Sequence, residues 1–109
     1  MIVTTGNDVP GHDVRKVLGI VKGSSIRARH LGKDITAFIK NLVGGEIEEY
    51  TKMMGEAREQ AIDRMVAVAE ARGANAVLNV HFSTSYVMGA AAEILVVGNA
   101  VHLEEVRGG

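Results

Sequence analysis

The 109-residue sequence contains no cysteine, and that single absence removes disulfides, thiolate nucleophiles, zinc ribbons and iron–sulfur sites together. Aromatic residues are scarce at 4%, against 47% hydrophobic residues overall, so a core has to be built from Val, Ile, Leu, Ala and Met. So thin a supply of rings also argues against a surface on which nucleobases stack. A dominant charge is missing as well: 12 Lys and Arg against 13 Asp and Glu give a formal net charge of -1, which creates no field for a polyanion or an anionic membrane. No run of 18 apolar residues occurs, and Met1 to Pro10 has neither a basic start nor an apolar stretch of signal-peptide length. The expectation is a cytoplasmic protein with neither nucleic acid nor membrane as a partner.

What is present reads as one domain, 1–109, of α+β class. Between Gly44-Gly45-Glu46 and Gly73-Ala74-Asn75-Ala76-Val77, the residues Ile47, Tyr50, Met54, Ala57, Ala61, Met65, Val68 and Ala69 recur at steps of three and four. That is the helical period with one buried stripe, and it predicts a helix of roughly 25 residues, about 37 Å long. Glu46 favours the positive end of the helix dipole, Glu48 and Lys52 form an i,i+4 pair on the outer side, and Gly73 is expected at positive φ as a left-handed cap. Ahead of it, Asp34 to Val43 puts Ile35, Phe38, Ile39 and Leu42 on one face of a short helix that Gly44 and Gly45 stop.

The remainder reads as sheet. Met1 to Thr5 is a short strand ended by the turn formers Gly6 to Gly11, and Val17 to Ala28 is a second strand or a hairpin with bulges at Gly19 and Gly23. Glycines there imply that the backbone bends or that another backbone comes close. Arg27 to Lys33 reads as a polar connection. From Ala76 the period is two, with Ala76, Leu78, Val80 and Phe82 on one face and Val77, Asn79, His81 and Ser83 on the other. A turn at Met88 to Ala91 leads to Glu93 to Leu103, apolar on both faces apart from Asn99 and His102, as in a strand buried on both sides. One helix layer cannot cover two faces, so the pattern favours an oligomer in which the second face packs on a neighbour. The tail Glu104 to Gly109 reads as frayed.

Asp34-Ile35, Gly44-Gly45-Glu46, Tyr50, Glu56-Ala57-Arg58, Ala61, Arg64-Met65, Gly73-Ala74-Asn75-Ala76-Val77, Phe82-Ser83-Thr84-Ser85, Glu93-Ile94-Leu95 and Gly98-Asn99-Ala100-Val101 together resemble the YbjQ-like family of small bacterial and archaeal proteins. The resemblance spans nearly the whole chain. It implies a heavy-metal-binding domain with a dodecin-like subunit: an antiparallel or mixed twisted sheet carrying one long and one short helix, assembled into a ring-shaped homopentamer. Two departures are visible: Val97 and Asn99 stand where the family's closing pattern has Tyr and Thr, and His81 stands where Arg is common.

Candidate sites are few. The imidazoles are His12, His30, His81 and His102, with no His-x-x-x-His pair and no thiolate for a soft metal. If the last two strands form a hairpin, His81 lies opposite Gly98 or Asn99 and about 13 Å from His102, so one subunit forms no chelate. His81 and His102 remain metal candidates only through symmetry between copies. Asn79, His81, Ser83 and Ser85 share one strand face, and with Asn99 they make a polar patch in an apolar surroundings, suited to a small ligand at a subunit interface. The pairs Glu56/Arg58 and Arg64/Glu70 read as the solvated side of a helix or as ion pairs. Arg27, Arg29, His30 and Lys33 make a basic loop without aromatic interleaving. No serine sits in an elbow motif, no Gly-x-Gly-x-x-Gly opens a helix, and no cofactor is identified. The expectation is a homo-oligomeric binding or scaffold protein holding a metal or small ligand between subunits, without catalytic residues; the alternative is an enzyme whose site forms between subunits.

Overall fold

The computed structural model describes residues 1–28, 45–87 and 91–106. Strands β1 (Ile2–Val3), β2 (His12–Ala28), β3 (Ala76–Val87) and β4 (Ala91–Glu105), with helix α1 (Gly45–Ala71), make an α+β subunit. The sheet is mixed, in the order β1-β3-β4-β2: β1 runs parallel to β3, and both β3 and β2 run antiparallel to β4. The short helix expected over Asp34 to Val43, its stop at Gly44, the connection beyond Ala28 and the turn residues 88–90 lie outside the described residues.

From Met54 on the helix follows its stripe; the side chains of Ile47 and Tyr50 lie outside the described residues. Met54, Ala57, Ala61, Met65 and Ala69 are buried and pack against Val21, Val77, Val80, Ile94, Val96 and Ala100 of the sheet. Each fully buried Met, Ile or Val of this cluster contributes about 1.5–3 kcal/mol. Val68, counted in the stripe by its spacing, is 38% exposed because it sits at the stripe's margin. The three alanines leave room for close approach, and Gly23 supplies the other half. A Cβ on Gly23 would collide with the Ala61 carbonyl oxygen and fall 2.5 Å from the Met65 nitrogen, so helix and strand backbones touch there.

At its end α1 closes on Gly73, which has φ 87. The Ala74 N–H donates to the Ala69 carbonyl and the Gly73 N–H to that of Glu70, both at 3.0 Å. This is the paired-bond arrangement that satisfies the last carbonyls of a helix when the following residue is left-handed. Ala69 and Ala74 then pack on the same core cluster, which sets the direction in which the chain leaves for β3.

β2 is a single strand of 17 residues rather than a hairpin, and it starts at His12, before the expected Val17. It forms one edge of the sheet, β1 the other. Its pairing with β4 slips twice, between Val14 and Lys16 and between Val17 and Gly19, so Arg15 and Leu18 are surplus residues. Gly19 follows the second slip at φ 96. Thus one of the two glycines marks a bend and the other a close approach. β4 continues through Glu104 and Glu105, which pair with Asp13 and His12, so that part of the expected frayed tail is ordered strand; residues 107–109 lie outside the described residues.

Arg64 and Arg72 tie the helix to the outer strand. Arg64 Nη1 donates to the Ser24 carbonyl at 2.6 Å, and Arg72 Nη1 donates to the Ile20 carbonyl at 2.9 Å and to that of Leu18 at 3.4 Å. Eight residues of helix rise about 12 Å and four of strand about 13 Å, so the two arginines keep step with the carbonyls they reach. On the inner side of the same contact the fully buried Ser25 Oγ donates to Gln60 Oε1 at 2.6 Å.

Candidate functional site

The sheet face that does not carry α1 is the surface on which the polar candidates collect, and irregularities in β3 and β2 decide what reaches it. In β3 the register slips between Leu78 and His81. Asn79 sits in this bulge at φ 55, a left-handed conformation that Asn tolerates better than most residues. The N-terminal segment stitches the bulge down: Asn79 N–H donates to the Gly6 carbonyl at 2.9 Å, and Val80 N–H to that of Thr4 at 3.1 Å.

The slip resets which side each residue faces. Val77 and Val80 both join the cluster under the helix, whereas Ala76 and Leu78 lie on the open face with Val101, Leu103 and the packed Val9. The strict alternation expected from Ala76 to Ser83 therefore fails at Asn79, and Val80 does not share a face with Leu78. His81 pairs with Val97, not with Gly98 or Asn99, while Ser83 pairs with Leu95 and Ser85 with Glu93. Because Ile94, Val96 and Ala100 are buried beneath the helix, these odd-numbered partners of β4 fall on the open face. His81, Ser83 and Ser85 thus share the open face, and Asn99, opposite Leu78, is a diagonal neighbour of His81. Asn79 belongs to the bulge rather than to that row.

β2 completes the face with residues that the two-residue period does not reveal. Val14, Val17 and Ile20 are opposite Leu103, Val101 and Asn99. Every third residue of β2 therefore meets every second residue of β4, and the two bulges hold all three apolar side chains on one side. They are 45%, 70% and 67% exposed. Further along, Lys22 lies across from Val97, Ser24 from Leu95 and Ile26 from Glu93. Cross-strand rows result: Ile20, Asn99 and Leu78; Lys22, Val97 and His81; Ser24, Leu95 and Ser83; Ile26, Glu93 and Ser85.

The imidazoles of His12, His81 and His102 are kept apart, and His30 lies outside the described residues. His102 pairs with Lys16 on the helix side of the sheet, where its Nδ1 is 3.4 Å from the Gly73 carbonyl oxygen, beside the C-terminus of α1. His12 Nδ1 is 3.1 Å from the Pro10 carbonyl oxygen at the start of β2. Among the described residues no three His, Asp or Glu side chains come together in a way that could hold a metal ion. His81 and His102, on opposite faces, do not fit a shared site within one chain.

Other polar groups serve the fold. Asn75 Nδ2 donates to the Leu103 carbonyl at 2.9 Å while Leu103 N–H donates to Asn75 Oδ1 at 2.7 Å, so this side chain stands in for a peptide group and extends the ladder beyond the first residue of β3. Ser25 Oγ is bonded to Gln60, an amide rather than a base. Arg15 Nε lies 3.0 Å from Glu104 Oε2 with both side chains more than half exposed, a pair that contributes little. A shallow hollow along α1, lined by Lys52, Gly55, Glu56, Glu59, Gln60 and Asp63, lies across the sheet from His81. The side chains of Arg27, Arg29, His30 and Lys33 lie outside the described residues.

The chain that carries this open, mixed apolar and polar sheet face, backed by one long helix, has recognisable relatives. A model of the YbjQ family, described as "Putative heavy-metal-binding", matches residues 1–104, and the chain belongs to that family. A UPF0145 protein of Dehalococcoides mccartyi is 56% identical over 104 residues, covering 95% of this chain and 100% of the relative. The corresponding protein of Archaeoglobus fulgidus is 52% identical over 103 residues, 94% of this chain and 95% of its own. That of Thermus thermophilus is 54% identical over 107 residues, 98% and 94% of the two chains. Among solved structures, a protein of unknown function of the DUF74 family from Pediococcus pentosaceus superposes with a TM-score of 0.59 at 15% identity, covering 95% of this chain and 98% of the other, which shows the shared fold. No helix among the described residues is long and apolar enough to cross a membrane.

Proposed function

We propose that this chain works as a homo-oligomeric binding or scaffold protein whose copies meet through the open sheet face. The row of exposed Val14, Val17 and Ile20 on the edge strand β2 carries this reading. Two bulges are needed to bring these residues to one side, and a contiguous apolar row held open to water is what an association surface presents. Dimensions support it: the radius of gyration is 17.8 Å, against about 13 Å for a compact domain of this length. A closed ring is the assembly proposed, with five copies as the family resemblance implies. Asn99, beside Ile20, with His81 and Ser83 further along the same open face, then become the polar groups for a small ligand held between subunits. A metal belongs in this scheme only where symmetry gathers His81 or His102 from several copies.

A native mass spectrum of the purified protein tests the reading, because it reports subunit count and bound mass together. The expected result is one closed assembly of 11.6 kDa subunits at micromolar concentration. A monomer alone under those conditions overturns it.

A further inference from the structure

On the open face the rows Lys22, Val97, His81 and Ser24, Leu95, Ser83 lie next to each other across β2, β4 and β3. Each row has a polar side chain at either end and an apolar one in the middle. The polar positions mark a rectangle of about 9.6 Å, two strand spacings, by about 6.7 Å, two residues along a strand. Val97 and Leu95 are its half-buried floor, while Lys22, His81 and Ser83 are exposed. Ser24 faces the same way, because its neighbour Ser25 turns under the helix to Gln60.

The chemistry of the corners is one-sided. Each of these side chains can donate a hydrogen bond, Lys22 carries a positive charge, and none is a carboxylate. Among the described residues neither Lys22 nor His81 takes part in an ion pair, where Arg15 and Glu104 do. Glu93 borders the hydroxyl row, but it lies four residues along β4 from Val97, a span of about 13 Å from the row of Lys22. Arg64 brings a further guanidinium to the sheet edge, at the Ser24 carbonyl. A metal cation at His81 would be repelled by Lys22 in the same row; an anion is attracted by it.

Once this face is covered, Lys22 needs an opposite charge, since an unpaired buried charge is strongly unfavourable. A ligand with an anionic head and an apolar body supplies it. The flexible four-carbon stem of Lys22 lets its ammonium lean over Val97 from one side while His81 stands on the other, so both can bond one head group there. The body then lies on Leu95, between the hydroxyls of Ser24 and Ser83.

We infer that this rectangle binds a small organic anion, a carboxylate or a phosphate ester, with Lys22 as its counter-charge. The inference rests on the proposal above that the open face holds a small ligand, and it names the class of that ligand. It also adds Lys22 and Ser24 to the polar groups of the site.

Calorimetric titration of the purified protein with benzoate and with phenyl phosphate tests it, with benzamide and benzylamine as neutral and cationic probes of similar size. Saturable binding of at least one of the two anions is expected, and their relative affinity tells a carboxylate site from a phosphate site. Benzamide and benzylamine are expected to bind at least tenfold more weakly. Lys22→Gln is expected to weaken the anion tenfold or more, Lys22→Arg to keep it within a few-fold of the starting protein, and His81→Gln to weaken it severalfold. Circular dichroism checks that each variant folds; if Lys22→Gln does not, His81→Gln carries the comparison. Failure of both anions to bind saturably, or an affinity that these substitutions leave unchanged, overturns the inference. Benzamide or benzylamine binding as tightly as the anions leaves a ligand-holding face and overturns its anionic class. If the anions bind while a native mass spectrum shows only a monomer, the site stands and the assembly falls.

Discussion

At Gly73 a backbone angle decides where a helix stops. With φ at 87 the residue lies in the left-handed region, and the two bonds from Gly73 and Ala74 back to Glu70 and Ala69 depend on it. A β-branched side chain there meets the backbone in its least tolerated conformation. Gly73→Val is therefore expected to cost about 1 kcal/mol or more, seen as a melting midpoint about 4 °C lower at matched protein concentration. An unchanged midpoint would count against the cap. This position was readable in advance because glycine after the last periodic residue is a strong signal. Gly23 was only half readable: glycine in a strand announces a bend or a close approach, and the choice needed the backbone of α1 at Ala61 and Met65 facing it. Asn75 was not readable, since nothing local tells an amide bound for solvent from one bonded to the Leu103 backbone 28 residues away.

Among the elements, the long helix follows its period from Met54 to Ala69, with Val68 at the margin, because a helix has one buried stripe and α1 has no interruption. The sheet is different. Two-residue alternation holds only between bulges, and the pattern across Ala76 to Ser83 conceals the slip at Asn79, so faces assigned beyond it come out displaced and His81 meets Val97. The same cause hid the apolar row of β2, whose three-residue steps do not show the two-residue period of a strand. His81 and His102 consequently end on opposite faces of the sheet, the latter beside the end of α1. A soft-metal site of the ordinary kind needs three or four good ligands around one point, and neither histidine finds two others among the described residues. Titration calorimetry with Zn²⁺, Cu²⁺ and Cd²⁺ is expected to show no saturable site at one metal per subunit tighter than micromolar, or about 8 kcal/mol. A symmetry-built site would be lost on changing the contributing histidine to alanine. A saturable site that survives His81→Ala and His102→Ala together would place the ligands elsewhere in the chain.

For the whole molecule, shape is the most informative property. Extents of 62 × 24 × 16 Å describe a thin slab, in which β2 and β4 run on past the C-terminal end of the helix. A slab one helix and one sheet thick keeps a large share of its surface in water, and adding copies is the direct way to reduce that share. The sequence pattern of β4 favoured a neighbouring copy covering its second face. What it could not supply is where the face lies open: Val101 and Leu103 are closed off by Val9 and their neighbours, while Val17 and Ile20, on the strand outside them, are not.

The surplus residue at Arg15 has a consequence for how the length of this chain can change. Removing one residue from a strand ordinarily turns over everything on one side of the cut. Removal of Arg15 instead leaves Val14, Lys16 and Val17 opposite Leu103, His102 and Val101 in plain alternation, and forfeits an exposed ion pair worth about 0–1 kcal/mol. Removal of Lys22, from the regular stretch, takes Val21 or Gly23 away from the helix. A chain shortened at Arg15 is thus expected to keep a cooperative thermal transition by circular dichroism while one shortened at Lys22 loses it, and the opposite order would refute the pairing at Arg15. The outer strand carries a point at which natural variation in length can enter without inverting the sheet.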